Sequence, residues 1–280
     1  CIRDSLNIRL MDTPEEQEKR LFNEKKIAAE EFARVNRIDK IGFPKINSKI
    51  GLIAAGKNWL DLIHAFSLLG IDARDAEELG ITSYKIVQTW PIDRQSLLEW
   101  SDQLDLIIVV EEKRKIIETQ VKDTLFSVGS KTRVYGGDKN NEKLFSDYGV
   151  LDPLDIASAI GQIFQEEGCS NTKLTSGLKK IKEARSADNA PDLAERLPYF
   201  CAGCPHNSST VVPEGSRAYA GIGCHYMAQW MDRETLGFTH MGGEGANWIG
   251  ESLFSKRKHV FQNIGDGTYN HSGIQAIRAA

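Results

Sequence analysis

The sequence has five cysteines in 280 residues, too few for a disulfide scaffold of this size. It has no excess of one charge. Thirty-five basic side chains face 39 acidic ones, a formal net charge of −4, which leaves no electrostatic footprint for nucleic acid or an anionic membrane. No apolar run approaches the roughly 20 residues that span a bilayer, and the start carries no signal-peptide pattern. Neither an internal repeat nor a low-complexity tract stands out. What remains is an average globular composition, 41% hydrophobic and 26% charged, with length enough for two domains.

The cysteines that are present are unevenly placed. Cys1 and Cys169 stand apart, whereas Cys201, Cys204 and Cys224 cluster in a block that also holds five of the six histidines and a high density of glycine. Ahead of that block the chain changes character twice. Thr13-Pro14-Glu15-Glu16 predicts a helix start with a hydroxyl cap, Pro at the first helical position and Glu three residues after the cap. The charged helix that follows reads as a connector or a surface helix. From Ile50 short apolar runs alternate with helix-like stretches: Ile50 to Ala55, Trp59 to Leu69, Tyr84 to Val87, Arg94 to Leu104, Asp105 to Val110, Lys115 to Leu125 and Thr132 to Tyr135. The run ending at Val110 is continuously apolar, as a parallel strand covered on both faces should be. This alternation predicts βαβ units and a compact α/β domain ending near Val150. Between Asp152 and Leu197 a helix and then a polar stretch, Ser176 to Asp192, read as a linker or exposed helix.

In the last block, Lys258 to Ile264 reads as a strand, Gly265-Asp266-Gly267 as the turn at its carboxyl end, and Ser272 to Ala280 as the start of a helix. Ligands of open α/β sheets bind outside the carboxyl ends of the strands, so Asp266 stands where a carboxylate could hold Mg²⁺ on a diphosphate. Asp-Gly is also a common turn dipeptide. Cys201-Ala-Gly-Cys204 has three readings: a redox pair, half a zinc site or half an iron–sulfur site. Cys224, in the glycine-rich turn after Gly221, favours a metal or cluster. Zinc would take His206 or His225 as a further ligand, iron–sulfur would need a fourth thiolate, and the residues alone leave the two open. His240 to Asn247 forms a third glycine-rich loop. In the first domain Glu111-Glu112-Lys113-Arg114 reads as a solvated charge run. Gly56-Lys57-Asn58 lacks the Ser or Thr of a phosphate loop and reads as a strand-to-helix turn.

Taken together, Tyr199 to Asn207, Val212 to Arg217, Gly221 to Trp230, Met241 to Trp248 and Gly265 to Tyr269 resemble the indolepyruvate ferredoxin oxidoreductases, thiamine-diphosphate enzymes of the 2-oxoacid:ferredoxin oxidoreductase superfamily. Gly51 to Gly56, Thr89-Trp90-Pro91 and Val109 to Lys113 are similar to their transketolase C-terminal-like domain. The fold class implied is α/β, a transketolase C-terminal-like parallel-sheet domain followed by a truncated thiamine-diphosphate-binding α/β domain. The implied divisions are a helical connector over 1–47, the transketolase-like domain over 48–150, a helical linker over 151–196 and the first part of the cofactor domain over 197–280.

The resemblance also implies site residues. Cys201, Cys204 and Cys224 match three ligands of a [4Fe–4S] cluster, Asp266 the Mg²⁺ ligand, and Gly265, Gly267 and Thr268 its cofactor-binding neighbours. His206 and His225 are candidates for a place near substrate or cluster. The fourth cluster ligand and the Asn that closes the thiamine motif are expected beyond Ala280, which makes the chain an internal fragment. The implied activity is oxidative decarboxylation of an aryl 2-oxo acid to an acyl-CoA, with electrons passed through the cluster to ferredoxin. The implied partners are the 2-oxo acid, coenzyme A, ferredoxin and the missing domains of the same cytoplasmic enzyme. Pyruvate or 2-oxoglutarate ferredoxin oxidoreductases, and a zinc-stabilised binding module without catalysis, are the alternatives.

Overall fold

The computed structural model describes residues 9–188 and 197–280. They fall into two compact units, Cys1–Ala190 and Pro191–Ala280.

Unit 1 starts with the predicted cap. The Thr13 hydroxyl accepts from the Glu16 N–H at 3.3 Å while the Glu16 carboxylate accepts from the Thr13 N–H at 2.8 Å. Helix α1 (Pro14–Arg20) continues through a π-helical stretch, Leu21–Lys25, into α2 (Lys26–Val35). Then follow β1 (Lys40–Ile41), β2 (Ile50–Ala55), α3 (Gly56–Leu69), α4 (Ala73–Glu78), β3 (Ile81–Ile86), α5 (Arg94–Ser101), β4 (Leu106–Val110), α6 (Ile116–Ser127) and β5 (Arg133–Tyr135). The strands form one sheet in the order β1-β3-β2-β4-β5, parallel except for β1. Ile50, the first residue of the central strand, stands between Ile81 and Leu106.

The unbroken apolar runs have a plain cause. Alternate residues of β2 and β4 feed two different cores. Leu52, Ala54, Leu106 and Ile108 pack with Phe66 on one face, and Ile53, Ile107 and Val109 pack with Trp100 and Val121 on the other. Gly56 takes φ +52° and opens α3 directly after β2, the predicted strand-to-helix turn. The charge run after β4 is not wholly solvated, as the sequence reading had it. Glu111 is half-buried and accepts the N–H groups of Ile116, Ile117 and Glu118, capping α6. Burial pushes its carboxyl above the ordinary range, against those hydrogen bonds.

A small hairpin, β6 (Asp138–Lys139) with β7 (Glu142–Lys143), leads to α7 (Pro153–Glu166) and α8 (Thr172–Asp188). Here the structure differs from the expected linker over 151–196. Helix α7 buries Ile156, Ile160, Ile163 and Phe164, and α8 adds Leu174 and Ile181, all in the same core as Phe66 and Leu69. The apolar positions of α8 are few but share one face, and Gly177 lets it close on α3. A Cβ there would stand 2.5 Å from the Leu69 carbonyl oxygen. The packed part of the stretch therefore belongs to unit 1, and its last residues, 189–196, lie outside the described residues, as does Cys1. Cys169 is half-buried against this core, which pushes its thiol pKa up.

Unit 2 contains α9 (His206–Ser209), β8 (Ala218–Ala220), a 3₁₀ stretch Cys224–Trp230, β9 (Thr235–Phe238), α10 (Ala246–Glu251) and β10 (Phe261–Gln262). It closes with α11 (Asp266–Thr268), a π-helical stretch Tyr269–Gly273 and α12 (Ile274–Ala279). Its sheet runs β10-β8-β9, all parallel. The middle strand is anchored by Tyr219, whose hydroxyl donates to Glu251; Arg217 donates to Glu251 at 2.6 Å and lies 4.8 Å over the Tyr219 ring. Burial, then the Glu251 carboxylate, pushes the Tyr219 phenol up to about 12. The expected strand over Lys258 to Ile264 is paired only at Phe261–Gln262, and the final helix starts at Asp266 rather than Ser272.

Candidate functional site

The loops at the carboxyl edge of the unit 2 sheet carry the sequence's candidates. After β8 come Gly221 to His225, after β9 Thr239 to Asn247, and after β10 Asn263 to Gly267. Chain order crosses from β9 past β8 to β10, so this edge is also a topological switch point.

The CxxC turn is tied locally. The Cys204 N–H donates to the Cys201 carbonyl at 3.0 Å, Asn207 Nδ2 donates to the same oxygen at 3.0 Å, and Gly203 takes φ +74°. His206 Nδ1 lies 3.1 Å from Cys204 Sγ. Its ring stacks between Phe200, at 5.3 Å, and His225, at 5.8 Å, so an aromatic column joins the CxxC turn to the turn of Cys224. Arg233 lies 5.7 Å over the Phe200 ring and donates to the Asn207 carbonyl at 2.7 Å. The two cysteine turns are thus neighbours. Their thiols, however, are free, with Cys201 and Cys224 exposed. Among the described residues no group of three or more His, Cys, Asp or Glu side chains is gathered to hold a metal ion. A [4Fe–4S] cluster needs four thiolates at once. Three ungathered ones do not fit it as they stand.

Asp266 presents a different case. Gly265 caps α11, Asp266 is the first helical residue, and both Asp266 and Gly267 are exposed. A Cβ at Gly267 would meet nothing within 4 Å, and one at Gly265 only the Ile222 carbonyl oxygen at 3.9 Å. Mg²⁺ is held by one or two carboxylates together with phosphate oxygens rather than by an all-protein cage. One carboxylate on an open glycine backbone fits the Mg²⁺–diphosphate end of thiamine diphosphate. Thr268 is buried beneath it.

His225 is buried at the same edge, and a Cβ at Gly221 would stand 2.6 Å from its Nε2, so only glycine admits the ring there. Burial first, then the charge of His206, lowers the His225 pKa, while Glu244 opposes the shift. His225 Nε2 has no hydrogen-bond partner, and it is not alone. Thr239 Oγ1, Glu244 Oε1, Asn247 Oδ1 and Gln262 Oε1 are also buried without partners. All five lie at the carboxyl ends of β8, β9 and β10. Buried polar atoms are normally satisfied, and these five stand unpartnered at one sheet edge. The sequence singles out His225 as a candidate, places Glu244 and Asn247 only within a glycine-rich loop, and gives Thr239 and Gln262 no part in the site. Only the glycine density around Glu244 signalled the loop. Open clefts of about 460 Å³ beside Tyr84 and Trp100, and of about 720 Å³ beside Lys122 and Phe126, lie in unit 1, and none of these five atoms lines them.

Fold and site together define an α/β protein with unpartnered polar atoms at the carboxyl edge of a parallel sheet. The indolepyruvate oxidoreductase domain matches residues 40–188, more than half of the chain, and the chain belongs to that family. It is similar to the indolepyruvate oxidoreductase subunit IorA of Methanothermobacter marburgensis, 24% identical over 242 residues, 82% of this chain and 35% of the relative. The IorA subunits of Thermococcus kodakarensis and Pyrococcus horikoshii are 22% and 23% identical, each over 84% of this chain and 36% of the relative. The chain therefore spans about a third of the length of these curated relatives. Among solved structures it overlaps a split-gene transketolase in an inactive β4 tetramer, with TM-score 0.33 and 19% identity over 45% of this chain and 41% of that one. It also overlaps a 2-oxoglutarate:ferredoxin oxidoreductase from Magnetococcus marinus with 2-oxoglutarate, coenzyme A and succinyl-CoA bound, with TM-score 0.36 and 15% identity over 55% of this chain and 24% of that one. Both overlaps are too loose to define the architecture, which the strand order defines. No helix among the described residues is long and apolar enough to cross a membrane.

Proposed function

We propose that the chain is part of an oxidoreductase that decarboxylates an aryl 2-oxo acid of the indolepyruvate type to an acyl-CoA, with ferredoxin as electron acceptor, and that unit 2 holds the Mg²⁺–diphosphate end of thiamine diphosphate. The family match supports the reaction class. The observation that carries the site is the row of five unpartnered buried polar atoms at the carboxyl edge of β8, β9 and β10, beside the open Gly265-Asp266-Gly267 backbone. Thiamine diphosphate, when bound, supplies the carbon nucleophile and electron sink that side chains lack. The chain's own part is to hold and orient. Asp266 would hold Mg²⁺ on the diphosphate, the backbone at Gly265 and Gly267 leaves room for its oxygens, and Thr268 fixes the turn from below. His206 and His225, stacked face to face, would bound the site on the side of the cysteine turns. The assignment of Cys201, Cys204 and Cys224 as [4Fe–4S] ligands rests on the family resemblance.

Calorimetric titration of the full-length protein with thiamine diphosphate and Mg²⁺ tests the reading. Binding is expected, and Asp266→Asn is expected to weaken it about tenfold or more, the loss of one charge-assisted interaction. An unaltered affinity in Asp266→Asn would remove Asp266 from the site.

A further inference from the structure

One residue at the carboxyl edge of β8, β9 and β10 has no role in the sequence pattern. Glu244 is fully buried. One of its oxygens accepts the Gly242 N–H at 2.7 Å, and the other, Oε1, has no partner. The loop is built to turn this carboxylate inward. Gly242 and Gly245 take φ +92° and +90° on either side of it, a conformation that side-chain-bearing residues rarely adopt. The same glycines bring the loop onto the two segments flanking Asp266. A Cβ at Gly242 would stand 2.6 Å from Ser272 Oγ, and one at Gly245 would stand 3.7 Å from the Gln262 side chain.

Of the five free atoms at this edge, His225 Nε2 and Thr239 Oγ1 can donate, whereas the other three only accept. Gln262 spends its amide hydrogens on the Ala220 and Asn263 carbonyls, at 3.3 and 2.7 Å, which leaves its oxygen as the free end. Asn247 Oδ1, three residues after Glu244, is free as well. A carboxylate and two carboxamide oxygens accept and cannot donate. Burying such a carboxylate is costly unless a positive or N–H-rich group meets it.

We infer that Glu244 is the ring-binding residue of this site, its free oxygen facing the positively charged nitrogen heterocycle of the ligand whose diphosphate lies at Asp266. The inference rests on the thiamine diphosphate reading proposed above. Glu244 touches neither the diphosphate nor the metal. It sets the affinity for the cationic half of the molecule, with Asn247 and Gln262 as neutral acceptors beside it.

Three probes separate the parts in the full-length protein: Mg²⁺ with inorganic pyrophosphate, thiamine diphosphate, and its 3-deaza analogue, which has a neutral ring. Titrations of wild type, Glu244→Gln and Glu244→Asp read the affinities, with circular dichroism to compare the folds. In Glu244→Gln thiamine diphosphate is expected to bind about tenfold more weakly, the neutral analogue nearly as in wild type, and Mg²⁺–pyrophosphate unchanged. Glu244→Asp, which keeps the charge, is expected to restore most of the preference for the cationic ring. If wild type binds thiamine diphosphate and Glu244→Gln binds it equally well, or loses cation and neutral analogue alike, the inference falls while the site stands. Failure of Glu244→Asp to restore any preference also overturns it. If wild type binds none of the three probes, the reading of the site falls, and the inference with it.

Discussion

At the scale of single residues, glycines do most of the positioning. Gly177 admits α8 onto the end of α3, and its replacement by alanine would drive a methyl to 2.5 Å from the Leu69 carbonyl oxygen, a backbone atom that cannot rotate away. Gly177→Ala is expected to destabilise unit 1 by about 1–3 kcal/mol, the usual cost of overpacking, read as a lower urea midpoint with an unchanged slope. A change near zero would mean that α8 does not pack as described. In unit 2, Gly221 lets the Asn263 carbonyl and the His225 ring meet over one Cα. The sequence singles out candidates by residue type and motif, as with Cys201, Cys204, Cys224, His206, His225 and Asp266. It does not single out Glu244 or Gln262. Glutamate and glutamine are mostly surface residues, and nothing in the order of residues says that these two are buried with an oxygen left over.

At the scale of elements, α7 is the instructive case. The helix expected after Asp152 is observed, with Asp152 accepting the Leu154 N–H at 2.7 Å. Its partners could not be read from the sequence, because an amphipathic helix does not say which surface covers it. Ile160 is fully buried between α7 and the unit 1 sheet core. Ile160→Ala is expected to cost about 2–5 kcal/mol, and a loss below 1 kcal/mol in chemical denaturation would return α7 to the status of a linker. The edge strand β5 is tied to the end of the same helix by a two-pronged contact, Arg133 to Glu167 at 2.8 and 2.6 Å. Hydrogen bonds from Arg133 hold the Glu167 carboxyl below its ordinary value of 4.5. A carboxylate with a lowered folded pKa stabilises above the unfolded value and loses that contribution as pH falls through the folded one. The pair is partly exposed, so the contribution is about 0.5–1 kcal/mol after screening. Denaturation of wild type and Glu167→Gln at pH 7 and pH 3 checks this. The stability gap between the two should be widest at pH 7 and shrink as pH falls below 4.5, and a constant gap would contradict the assignment.

At the scale of the whole molecule, the two units raise different questions. Unit 1 is an α/β layer structure with two apolar cores and carries the family match from residue 40 to 188. Unit 2 carries the proposed ligand edge and the cysteine turns. If the full-length protein gathers these three thiols around a cluster, it contains iron and acid-labile sulfide when purified without oxygen, and Cys204→Ser loses most of both. Stoichiometric zinc without iron would favour a structural metal and overturn the cluster assignment. The sequence determined the alternation of strands and helices, the cap at Thr13, the turn at Gly56 and the residue types of the cysteine turns, because these depend on periodicity and on contacts within a few residues. Only the tertiary structure decided that α7 and α8 complete the first core, that the cysteine turns meet through the His206–His225 stack, and that Glu244 faces inward with a free oxygen. Burial and hydrogen-bond satisfaction depend on groups brought together from distant parts of the chain.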